Sequence, residues 1–149
     1  MTFKIPLFKA ITFGYERDMI SFSLRHGTLP PLYTTAILDT GCPYFIISEN
    51  AIKRTRISYG EEPAFEKPVN LGGMFFHLYS LGECNLCFRD IEKKDTNFKH
   101  IVYVGVPMIN KNEILNKQMP SFVGKDFLDK NFISIIKTKS GSYLQQIDE

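Results

Sequence analysis

Residues 36–48 read Ala36-Ile37-Leu38-Asp39-Thr40-Gly41-Cys42-Pro43-Tyr44-Phe45-Ile46-Ile47-Ser48, an acid set between two apolar runs. From Tyr33 the chain is apolar and β-branched, which predicts a strand over 33–38, and Tyr44 to Ile47 predicts a second. Packing alone is a poor explanation for Asp39, because burying an ionised carboxylate is expensive without partners. A tight turn supplies partners: the glycine lets backbone amides approach the carboxylate, and the threonine hydroxyl can fix the turn. The reading is strand, tight turn, strand, with the acid presented at the turn. Ser48 is then placed to cap a short helix reaching Arg54, with Glu49 favourable at its positive end.

Outward from this stretch the pattern stays β. Residues 2–13 place Phe3, Ile5 and Leu7 on one side, the period of a half-buried strand, and Pro6 argues for an edge position. Residues 19–25 repeat the period through Ile20, Phe22 and Leu24, so the two runs predict a hairpin with its turn at 14–18. His26 to Pro31 breaks the pattern and predicts a surface loop. Residues 71–88 are expected to form a strand pair, with Gly72-Gly73 near its start and Leu81-Gly82 at its middle, and 100–106 a further buried strand. Asn110-Lys111-Asn112-Glu113 has the spacing of a helix-starting box. Residues 122–128 predict a short strand passing through glycine into a helical turn, and 132–137 and 143–147 predict closing strands. Only residues 60–68 look like a linker. The fold class expected is all-β with one or two short helices.

A chain of 149 residues predicts one domain spanning 1–149. Its 44% hydrophobic and 23% charged residues are the balance of a globular protein. Thirteen Phe and seven Tyr without Trp favour strands. The net charge of +2 comes from intermixed signs, so no basic stripe points to nucleic acid. Residues 1–10 never form the uninterrupted apolar run of a signal or a membrane span, which predicts a cytoplasmic protein with no membrane partner. Three cysteines, Cys42, Cys84 and Cys87, fit free thiols in a reducing compartment.

Residues 36–42 followed by Ile46-Ile47-Ser48 resemble the active-site segment of retropepsin-like aspartic proteases. A second match, Val123-Gly124-Lys125-Asp126-Phe127-Leu128, resembles that family's apolar-apolar-Gly strand and the helix behind the aspartate turn. Two motifs in the expected order are far more specific than a lone Asp-Thr-Gly. The resemblance implies a closed acid-protease barrel of the single-domain type. One such turn per chain, with no second Asp-Thr-Gly or Asp-Ser-Gly in the sequence, implies a homodimer. It implies that Asp39 is the catalytic acid and base, that Thr40 grips its counterpart across the dimer axis, and that Gly41 lies beside a bound peptide. It further implies a flap, for which Gly72, Gly73 and Met74 are the candidates, with Cys42 beside the cleft. Cys42 stands where Ala or Ser is usual, and Lys125 where retroviral enzymes carry Arg. Residues 88–119 have no matching motif. The activity implied is that of an aspartic endopeptidase acting on peptide or protein substrates without metal or cofactor. The alternative is a silent dimerisation or peptide-binding module of the same fold.

Other chemistries are weaker. Cys84-Asn85-Leu86-Cys87 has zinc-knuckle spacing, but residues three apart on a strand face opposite sides and no second pair exists. A nucleophilic Cys42 would need His26, His77 or His100 as base, and no spacing links them. Asp126 reads as an acid favourable at a helix start rather than a second catalytic acid. Phe75, Phe76 and Tyr79 fit either a core or a substrate pocket.

Overall fold

Alternation dominates the observed architecture. The computed structural model describes residues 3–12, 14–71, 74–108 and 119–146. Eleven strands occur among them: β1 (Lys4–Pro6), β2 (Phe8–Thr12), β3 (Tyr15–Arg25), β4 (Leu32–Leu38), β5 (Ile46–Ser48), β6 (Val69–Leu71), β7 (Met74–Arg89), β8 (Asp95–Pro107), β9 (Ser121–Val123), β10 (Ile133–Thr138) and β11 (Gly141–Gln146). Two short helices accompany them, α1 (Glu49–Ile52) and α2 (Lys125–Lys130). The described residues are thus mostly β with two short helices, and among them no helix is long and apolar enough to cross a membrane.

Eight strands run in the order β2-β3-β4-β9-β5-β8-β7-β6, and β3 also pairs with β7. That extra pairing, through Ser23 and Cys87, Leu24 and Leu86, and Arg25 and Asn85, closes a circuit of six strands from β3 round to β7. Closure removes the free edges that those six strands would otherwise expose. A separate three-stranded sheet, β1-β11-β10, packs against it, with Pro6 on the edge strand β1 as its missing N–H requires. Inside the circuit Phe45, Phe88 and Phe127 are fully buried and in ring contact, each stabilising the fold by about 1.5–3 kcal/mol.

Several elements differ from expectation. Residues 2–13 do not form one strand: the chain breaks at Leu7, so that β1 joins β11 and β2 joins β3. The hairpin turn is also tighter than 14–18, since β3 begins at Tyr15 and Gly14 takes φ +80°. The helix capped by Ser48 stops at Ile52 rather than Arg54. Residues 74–89 form one continuous strand rather than a pair, and Gly82 (φ +71°) makes a bulge between Ser80 and Glu83. The described part of the motif-free stretch 88–119 consists mainly of β8, the long antiparallel partner of β7. Gly72, Gly73 and the helix expected from Asn110 lie outside the described residues.

Candidate active site

Asp39 stands at the end of β4, half-buried, with Thr40 and Gly41 exposed beside it. The sequence builds this turn from its own backbone: the Cys42 amide donates to the Asp39 carbonyl at 3.1 Å, and the Gly41 amide donates to Asp39 Oδ1 at 2.9 Å. A Cβ on residue 41 would stand 3.2 Å from that same Oδ1, so glycine keeps the amide against the carboxylate. Among the described residues no other side chain bonds Asp39, and the Thr40 hydroxyl has no partner. The turn therefore offers one acid, one hydroxyl and one exposed backbone edge to the outside.

Strand β9 lies between the two strands that flank the turn, parallel to β4 and paired with β5 at Ile46 and Phe122. Residues 39–45 consequently loop around the end of β9. The Asp39 amide donates to Val123 O at 3.1 Å, the Lys125 amide to Cys42 O at 2.7 Å, and the Asp126 amide to Pro43 O at 3.3 Å. Asp126 Oδ2 accepts from the Phe45 amide at 3.2 Å, and the buried Ser121 hydroxyl accepts from the Ser48 amide at 3.0 Å. Backbone of 123–126 thus pins the turn on the side away from solvent. Lys125 points outward and faces Asp129 at 4.0 Å, an exposed contact of little energetic weight.

Cys42 is fully buried and donates its S–H to Tyr44 O at 3.3 Å. Burial pushes its thiol up to about 11, so it stays protonated and is no nucleophile at ordinary pH. Cys84 lies in the core while Cys87 is half-buried on the opposite face of β7, so the pair does not converge. Phe76 is core, Phe75 is exposed, and the Tyr79 ring meets that of Tyr59 at a tilt, with centroids 4.8 Å apart. Met74, the described member of the flap candidates, begins β7 and packs on a second apolar cluster that includes Cys42 and Phe76.

Two features of the site went unread in the sequence. Phe65, within the linker-like stretch, stacks on Tyr44 at 4.8 Å and contacts Tyr103 at 5.4 Å, while the Ala64 amide donates to Leu78 O. Its signal was a large apolar residue alone among Glu, Pro and Lys. The other is His100, whose Nε2 lies 3.0 Å from Asp126 Oδ2. An inward position in the alternating run His100, Val102, Val104 marks it.

No protein-family model and no curated protein matches the sequence. Among solved structures, EIAV protease in complex with an inhibitor is similar at 13% identity and TM-score 0.47, over 81% of this chain and 93% of that one. A retropepsin-like aspartic protease from Rickettsia conorii is similar at 13% identity and TM-score 0.47, over 98% of this chain and 91% of that one.

Proposed function

We propose that this chain is one subunit of a homodimeric aspartic endopeptidase whose two Asp39 carboxylates, one per copy, share a single cleft. The observation that carries the reading is the half-site at residues 39–41. A carboxylate held by the Gly41 amide at 2.9 Å stands beside an unpartnered Thr40 hydroxyl at an exposed turn, and no second acid from the described residues bonds it. Two such turns facing each other bring like charges together, which cannot both ionise cheaply, so the pair holds one proton between them. The ionised carboxylate takes a proton from a bound water, which attacks the peptide carbonyl. The protonated one donates a hydrogen bond to the developing oxyanion. Thr40 grips its counterpart across the axis, and Gly41, having no side chain, admits an extended peptide backbone. The chemistry uses neither metal nor cofactor, and three unpaired thiols suit work in the cytoplasm.

A shared site predicts that activity depends on association. On dilution, cleavage per chain of an unfolded protein substrate should fall to background as sedimentation shows dimers giving way to monomers. Constant cleavage per chain in the monomeric range would require a complete site within one chain and would end the proposal. A dimer that never cuts would leave only the silent peptide-binding module.

A further inference from the structure

Ser48, Ser121 and His100 are the buried polar residues among those described, and only His100 is titratable. It is 4% exposed, on β8, with its ring edge-on to Phe127 at 5.4 Å and tilted against Phe45 at 6.1 Å. Nε2 lies 3.0 Å from Asp126 Oδ2, whereas the buried Nδ1 has no hydrogen-bond partner. These facts select a tautomer. With its proton on Nε2 the ring donates to the carboxylate. With the proton on Nδ1 it would set a lone pair against a carboxylate oxygen and leave a buried N–H without an acceptor.

The same Oδ2 accepts from the Phe45 amide, and Phe45 ends the loop that begins at Asp39. Oδ1 accepts from the Phe127 amide at 2.7 Å, so each carboxylate oxygen is bound. Asp126 alone could turn about its χ angles and release Phe45, since the backbone of α2 fixes only one of its oxygens. A donor from β8 removes that freedom.

We infer that His100 is a positioning residue for the aspartate turn: its Nε2–H holds the Asp126 carboxylate on the Phe45 amide, and this clamp sets where Asp39 is presented. Its bearing on catalysis rests on the reading of Asp39 as the catalytic acid. The clamp itself does not.

The test compares wild type with His100→Gln, whose amide N–H reaches to a similar distance, and His100→Leu, which fills the space without a donor. In His100→Leu the Phe45 amide should exchange with solvent about tenfold faster, while amides of the β10–β11 hairpin keep their wild-type rates. In the same variant kcat should fall by about tenfold with KM unchanged, and His100→Gln should recover both effects to within about threefold. Equal Phe45 protection in His100→Leu and wild type, or a glutamine no better than leucine, would overturn the clamp. Should the leucine variant fail to fold, imidazole ¹⁵N shifts of the wild-type protein decide it: a proton on Nε2 supports the clamp, and a neutral ring with its proton on Nδ1 alone excludes it. A wild-type chain that cuts no peptide would count against the protease reading alone, because the exchange comparison needs no substrate.

Discussion

Asp39→Asn should lower peptide cleavage by at least about 10³-fold while leaving the fold intact. The amide is nearly the shape of the carboxylate, and its oxygen still accepts from the Gly41 amide, the bond that builds the turn at 2.9 Å. The thermal midpoint should accordingly stay within about 3 °C of wild type. What the amide lacks is a basic oxygen, so neither member of a pair can take a proton from water. A variant that folds and cleaves at the wild-type rate would remove Asp39 from the mechanism. Loss of folding would show instead that the charge, not the acceptor, holds the turn.

Gly124→Ala should be the most damaging glycine-to-alanine substitution among the described residues. Residue 124 has φ −98° and ψ −178°, ordinary extended backbone that alanine adopts freely, so the constraint is space rather than conformation. A Cβ there would stand 2.3 Å from Tyr44 O and 2.6 Å from Cys42 O, both backbone atoms of the loop around β9. Relief requires moving that loop away from 123–126, which also stretches the 2.7 Å bond from the Lys125 amide to Cys42 O. The expected cost is roughly 3 kcal/mol or more in urea unfolding, with cleavage lost in whatever remains folded. Gly60→Ala, where nothing lies within 4 Å, should change stability by no more than about 0.5 kcal/mol. Similar unfolding midpoints for the two variants would mean that the turn does not depend on this close approach.

The turn at Asp39, the Ser48 cap and the passage from β9 into α2 were legible because each is a local device. Ser48 Oγ accepts from the Ala51 amide at 3.2 Å, three residues on, and that spacing is visible in the chain. Gly82 shows the limit. A bulge and a hairpin turn both use a glycine with positive φ, and here the Ser80 hydroxyl accepts from the Gly82 amide as it would in a turn. What makes it a bulge is β8, which runs alongside β7 on both sides of it from Phe76 and Pro107 to Arg89 and Asp95. That is long-range information. Leu7 is similar: the break between β1 and β2 follows from β11 arriving some 140 residues later, where the Leu7 amide donates to Ser142 O at 3.0 Å.

Asp126 was readable as a helix-start acid, since it sits in the first turn of α2. Its larger role, joining β8, α2 and the end of the aspartate loop through one carboxylate oxygen, depends on residues 26 and 81 positions away. Sequence spacing carries no trace of such a contact. The alternation of β8 does place His100 inward, and an inward histidine requires a polar partner somewhere.

The most direct measurement of a site shared between two chains is a mixing titration. Wild-type chain is held at fixed concentration and Asp39→Asn chain is added to about ninefold excess, with time allowed for subunits to exchange. If each active cleft needs Asp39 from both copies, random pairing leaves about one-tenth of the wild-type chains with a wild-type partner, and activity should fall about tenfold. Each mixed dimer holds one carboxylate, which has no second acid with which to share a proton. Activity that stays level across the whole titration would contradict the account, because it would show that a single chain carries a complete active site.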